Sequence, residues 1–136
     1  MQTIHTKLGV VSLGCDKNTV DSERIVAALA GYGAEAVRDL SEADVIIVNT
    51  CGFIDAAKQE SIDTLLEVSR LKQEGRCSAV VALGCLVEQY RDELAPSLPE
   101  IDLFVGLRDA GRLIPDLRER GLLGNPIPDH PGIRVP

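Results

Sequence analysis

Four short apolar runs punctuate the chain, at residues 8–13, 45–48, 79–83 and 101–105. They are mostly continuous rather than alternating, and the second, Val45-Ile46-Ile47-Val48, is β-branched throughout. A strand with one wet face would alternate apolar and polar residues. A continuous run implies a strand covered on both faces, as in a parallel sheet. A weaker fifth strand is expected at residues 34–37.

The segments between the runs carry a helical period. Ile25, Ala28, Leu29 and Tyr32 follow the i, i+3, i+4, i+7 rule, and Gly31 and Gly33 stop the pattern. Asn18 reads as the N-cap of this helix, with Asp21 in its first turn. A second helix is predicted over residues 55–72, with Ile62, Leu65 and Leu66 on its core face and Gly75 beyond its end. A third starts near Leu86 and stops before Pro96. A fourth spans residues 109–120, with Pro115 as an irregularity.

Alternating strands and helices imply right-handed crossovers. The expected fold is a doubly wound α/β domain of the Rossmann or flavodoxin kind. It has a mostly parallel sheet of four to five strands and helices on both faces. The domain is expected over residues 1–120. Residues 121–136 hold four of the chain's seven prolines (Pro126, Pro128, Pro131 and Pro136) and read as a linker toward a further domain.

Composition narrows the function classes. At 136 residues and 45% hydrophobic, the chain suits one globular core. Aromatic residues are only 3%, so that core is built from Val, Ile, Leu and Ala. Fourteen basic against 21 acidic residues give a net charge of −7, which disfavours direct nucleic-acid binding. No apolar run approaches the roughly 20 residues of a membrane span, and the first residues lack a signal-peptide layout. A cytoplasmic setting is expected. There, four cysteines are expected to be free, redox-active or metal-bound rather than disulfide-linked.

Three of the cysteines share a position in the pattern. Leu13-Gly14-Cys15, Asn49-Thr50-Cys51 and Leu83-Gly84-Cys85 each close a strand, about one strand–helix–strand unit apart. In an open parallel sheet the carboxyl ends of the strands share one edge, where ligands bind. Gly14, Gly52 and Gly84 would let the backbone approach a bulky ligand there. Soft thiolates select zinc, copper(I) or iron–sulfur clusters. Structural zinc is usually closed by four ligands in short-spaced pairs, and no such pair occurs; His5 and His130 lie near the chain's two ends and follow no strand. A [4Fe–4S] cluster usually takes four cysteines, and three would leave one iron open to water, substrate or a sulfur species.

Other readings of the same residues remain. Buried cysteines are common without any ligand, and Cys77, which precedes a strand at the opposite edge, reads as a core or surface residue. A nucleotide site would need a glycine-rich fingerprint after the first strand. Gly14-Cys15-Asp16-Lys17-Asn18 does not supply one, although Lys17 and Asn18 could line the crevice.

Ser12-Leu13-Gly14-Cys15, Lys17-Asn18, Val20-Asp21-Ser22-Glu23, Ala43-Asp44, Asn49-Thr50-Cys51 and Gly84-Cys85 together resemble the opening domain of the radical-SAM methylthiotransferases. The resemblance runs from about Val10 to Gly106. The stretch from Cys51 through Gly52-Phe53-Ile54-Asp55-Ala56-Ala57-Lys58 to Asp63 is similar to the branch acting on an aspartate of the twelfth small-subunit ribosomal protein, rather than the branch acting on tRNA. Asp16 stands where that branch often has proline.

The resemblance implies that Cys15, Cys51 and Cys85 ligate an auxiliary [4Fe–4S] cluster with an open iron. It also implies a following radical-SAM domain, with a second [4Fe–4S] cluster and S-adenosylmethionine, and a small substrate-binding domain. The chain alone is then expected to be inactive, having no Cys-x-x-x-Cys-x-x-Cys motif. Two alternatives stand beside this: the same domain from a tRNA-modifying enzyme, and a non-catalytic α/β module with incidental cysteines.

Overall fold

Every residue of Val45–Thr50 and of Ala79–Gly84 is buried, and these two strands pair in parallel at the centre of the sheet. They are β3 and β4. The computed structural model describes residues 6–13, 16–50, 55–74, 77–106 and 111–123, with backbone only for residues 16–21, 55, 57, 74 and 85. The other strands are β1 (Thr6–Ser12), β2 (Ala34–Ala36) and β5 (Leu103–Val105). The helices are α1 (Asp16–Ala30), α2 (Asp55–Glu74), α3 (Cys85–Ser97) and α4 (Leu113–Glu119).

The strand order is β2-β1-β3-β4-β5 and all four pairings are parallel. From β1 the chain moves outward to β2, then returns across β1 to β3 and continues the other way. The β1/β3 boundary is thus a topological switch point, where strand ends of open α/β sheets leave a crevice.

Side-chain alternation along the strands sorts the core into two layers. Leu8, Val45, Ile47, Val81 and Leu83 face Leu29 of α1 and Leu113 and Leu117 of α4. Ile46, Val48, Val80 and Ala82 face Leu65 and Val68 of α2 and Leu86, Val87 and Leu94 of α3. Helices therefore cover both faces, which is why these strands read as continuous apolar runs. Among the described residues no helix is long and apolar enough to cross a membrane.

Several expectations are corrected. α1 begins at Asp16, so Asn18 is its third residue and not its N-cap. Leu66 is 45% exposed, because the buried line of α2 runs through Ser61, Leu65, Val68 and Ser69 instead. Two core-facing positions there are serines, and the Ser69 hydroxyl donates to the Leu65 carbonyl (2.5 Å), satisfying itself within the helix. α3 continues through Pro96 to Ser97, bending instead at Tyr90 (φ −125°, ψ 21°). Pro96 lies in the last turn. Pro115 falls in the first turn of α4, where a missing N–H is tolerated, so it is no irregularity. The expected start of that helix near Asp109, and Gly75, lie outside the described residues.

Leu123 is buried and the Thr6 hydroxyl donates to the Leu122 carbonyl, so the chain after α4 folds back on β1. Residues 124–136 lie outside the described part.

The amino edge of the sheet is closed by two aspartates. The Asp44 carboxylate accepts from the Lys7 amide (2.9 Å), and its carbonyl accepts from the Ser78 amide (2.7 Å). The Asp102 carboxylate accepts from the Val80 amide (2.8 Å) and from the Lys72 ammonium (2.9 Å to each oxygen). Cys77 is buried at this same edge, opposite the strand ends, with its thiol donating to the Ala79 carbonyl (3.1 Å). It is a core residue, as its place before β4 suggests.

Two outcomes follow. Asp102→Ala leaves the buried Val80 amide without this acceptor and should cost about 2–4 kcal/mol in chemical denaturation; Asp102→Asn keeps a neutral acceptor and should cost less. Burial pushes the Cys77 thiol up from its ordinary value. A raised folded-state value means that the stability contributed by the protonated thiol is whole below the unfolded thiol's pKa, about 8.5. It is lost as pH climbs toward the folded value. Alkylation of Cys77 in the native protein should accordingly lag far behind the urea-unfolded chain at pH 8.5, as read by mass spectrometry.

Candidate metal centre

The carboxyl edge differs in chemistry from the amino edge. Ser12 pairs with Asn49, and Thr50 pairs with Gly84, so β1, β3 and β4 end nearly flush. The Leu13 amide donates to the Asn49 carbonyl (3.0 Å), carrying the β1–β3 ladder one step past Ser12. Neighbouring strands are about 4.8 Å apart. The three chain paths leaving this edge therefore start side by side.

Each of those paths meets a cysteine within two residues: Cys15 after Leu13, Cys51 after Thr50 and Cys85 after Gly84. Cys15 and Cys51 lie outside the described residues, as do Gly14, Gly52 and the two histidines. Of Cys85 the backbone is described, and it is the first residue of α3.

Gly84 makes the turn into α3. Its φ is 111° with ψ −160°, in the region that side chains rarely adopt. A Cβ there would also lie 2.6 Å from both Asn49 Oδ1 and the Thr50 carbonyl. Glycine is thus required twice, for conformation and for space. The close approach presses the start of α3 against the end of β3.

The two residues before Cys51 are polar and fully enclosed. Asn49 is 1% exposed, and its Nδ2 donates to the Ser22 hydroxyl of α1 (3.1 Å). Thr50 points to the other face, and its hydroxyl donates to the Leu83 carbonyl of β4 (2.7 Å). Further out, Lys58 of α2 sits over the Tyr90 ring, 3.9 Å from its centroid, at the bend in α3. At the end of β5, a Cβ on Gly106 would run into the Glu88 carboxylate of α3.

Sequence reasoning named the cysteines and glycines but gave no role to Ser22, Asn49, Thr50, Lys58 or Tyr90. The signal for Asn49 and Thr50 was present. Two uncharged polar residues close a strand otherwise made of Val and Ile, and buried polar groups need partners nearby. Lys58 and Tyr90 are 32 positions apart by number and meet only through the fold, so nothing in the sequence pairs them.

Comparison with known proteins bears on this edge. Residues 7–106 match the family described as uncharacterized protein family UPF0004. The chain is 51% identical over 107 residues to the ribosomal protein uS12 methylthiotransferase RimO of Symbiobacterium thermophilum, covering 79% of this chain and 22% of that protein. Identity to the RimO protein of Geobacter sulfurreducens is 48% over 120 residues, 88% of this chain and 27% of the relative. For Clostridium botulinum RimO it is 50% over 113 residues, 83% and 25% respectively. The chain thus spans about a quarter of the length of these relatives. The matched segment takes in all five strands apart from Thr6 at the start of β1, and it stops at Gly106, just past β5. On that match the chain, with its five parallel strands and its three cysteines placed after β1, β3 and β4, belongs to the UPF0004 family.

Proposed function

We propose that this chain is the auxiliary cluster-binding domain of a methylthiotransferase that modifies an aspartate of ribosomal protein uS12. Cys15, Cys51 and Cys85 would be the ligands of one [4Fe–4S] cluster. The observation that carries the reading is the flush ending of β1, β3 and β4, the three strands that lead to those cysteines. Relatives named for uS12 methylthiotransfer support the substrate.

The described residues fit such a group. The site lies at the switch point, where a parallel sheet leaves room for a ligand. Gly84 removes the side chain that would crowd the turn before Cys85. Bound there by three thiolates, the cluster supplies an iron that no cysteine holds, open to a sulfur species or substrate. The chain's own work would be to hold the three thiolates and to close the sheet beneath them with the buried row at Asn49 and Thr50.

Radical chemistry belongs to a separate part of the enzyme. The four cysteines here, at positions 15, 51, 77 and 85, include no Cys-x-x-x-Cys-x-x-Cys set for a second [4Fe–4S] cluster and S-adenosylmethionine. A radical-SAM domain and a substrate-binding domain would be its partners in the full-length protein.

Anaerobic reconstitution with iron and sulfide tests the assignment. Wild type and Cys77→Ser should take up about four irons per chain, while Cys15→Ala/Cys51→Ala/Cys85→Ala should take up none above background. Equal uptake by wild type and the triple variant would overturn it. Incubating the full-length enzyme with uS12 and with tRNA should give a methylthio mass shift on the protein alone. A further substitution, Gly84→Ala, should cut iron uptake several-fold, because the alanine needs a positive φ and collides with β3.

A further inference from the structure

The Asn49 carboxamide stands between α1 and the β4–α3 turn while lying on the strand that leads to Cys51. Its Nδ2 reaches Ser22 on α1, the helix that follows Cys15. Its Oδ1 faces Gly84, the residue before Cys85, at a separation that leaves no room for a Cβ. Asn49 itself precedes Cys51 by two residues. One buried amide thus joins the helix after Cys15, the strand before Cys51 and the residue before Cys85.

We infer that Asn49 is a positioning residue that sets the spacing of the Cys15, Cys51 and Cys85 turns before any ligand arrives, with Ser22 fixing its rotamer. The inference rests on the proposal that these three thiols share one ligand.

The physical argument has three steps. A metal or cluster bound by thiolates from separate loops must meet the entropy cost of gathering them, and a preorganised site lowers that cost. Preorganisation needs a rigid spacer whose own rotamer is locked by packing and hydrogen bonds. Asn49 meets this description: it is enclosed, it is bonded to α1, and it abuts the β4–α3 turn. Thr50 complements it on the opposite face by tying β3 to β4 through Leu83. The row needs no ligand to form, since its bonds run among protein groups alone.

Shortening the spacer to alanine should let α1 and the β4–α3 turn close toward each other and loosen the thiol triangle. Leucine keeps approximate bulk but cannot bond to Ser22. Ser22→Ala keeps the wedge and frees its rotamer, so its effect should be smaller than that of Asn49→Ala.

Arsenite provides a probe independent of cluster assembly, because trivalent arsenic binds three converging thiolates. Wild type, Asn49→Ala, Asn49→Leu, Ser22→Ala and Asp102→Asn would be compared in a Cys77→Ser background. Arsenite affinity and thermal midpoint are measured on each apo chain, and midpoint potential on each chain that loads a cluster. Asp102→Asn serves as the control for general destabilisation, since it lies at the opposite edge. Asn49→Ala should bind arsenite at least tenfold more weakly than wild type and shift the cluster potential. Asp102→Asn should lower the thermal midpoint and leave both unchanged.

If Asn49→Ala binds arsenite within twofold of wild type, the positioning role is overturned, whether or not the cluster loads. It is also overturned if Asp102→Asn weakens arsenite as much as Asn49→Ala does. Wild type that binds arsenite tightly but assembles no cluster would sink the cluster assignment, and the variants would still judge the spacing. Wild type that does neither would overturn both.

Discussion

The burial of β3 is the constraint on which the rest depends. All six of its residues are enclosed, so its amides and carbonyls have no access to water and must find partners in β1 on one side and β4 on the other. Complete ladders on both sides leave little freedom of register, because a one-residue slip would turn every side chain to the wrong layer. Val45 and Ile47 belong with α1 and α4; Ile46 and Val48 belong with α2 and α3. The fixed register is what brings three strand ends into one row, and the strand order then puts the switch point beside that row. The candidate centre is thus a consequence of how the sheet is covered.

Burial also explains why the strand ends as it does. Apolar side chains to the last residue would finish the core and give nothing with which to hold the loops beyond. Asn49 and Thr50 replace them with one amide and one hydroxyl, each bonded to a different neighbour. Such groups stabilise only when satisfied, and they define a single arrangement more sharply than apolar contacts do. Gly84 matches this row from the β4 side by giving up its side chain.

Much of this was legible in the sequence. The continuous runs marked four of the five strands and the parallel, doubly covered sheet, with the fifth expected more weakly near residue 34. The cysteines' common place after strands pointed to the carboxyl edge, and Cys77, read as a core or surface residue, is buried. What escaped has physical reasons. The buried line of α2 contains Ser61 and Ser69, so hydrophobic spacing alone misassigned Leu66. The bend of α3 at Tyr90 carries neither Pro nor Gly, while Pro96, a strong stop signal, sits in the final turn, where it does little harm. α1 is already helical at Asp16, two residues before Asn18, so the polar residue chosen as its cap lies inside it. The bond between Asn49 and Ser22 joins α1 to β3, and a contact of that kind follows only from the assembled fold.

The two edges of the sheet make the same kind of closure with different chemistry. The amino edge uses carboxylates: Asp44 on the Lys7 amide, and Asp102 on the Val80 amide and Lys72. At the carboxyl end of β3 the bonds come from a neutral amide and neutral hydroxyls, with the Glu88 carboxylate further out beside Gly106. A carboxylate at position 49 could not donate to Ser22, and its charge would be buried there, so the neutral amide already fits on hydrogen bonding and burial. On the proposed reading, electrostatics adds a second reason. Three thiolates meeting beyond the strand ends would concentrate negative charge there, and like charges at close range in a medium of low dielectric repel strongly. A neutral spacer can hold the loops without raising the cost of ionising the ligands. Carboxylates tie down the amino edge, while an uncharged row closes the ends of β3 and β4, which suits the proposed gathering of anionic sulfur beyond them.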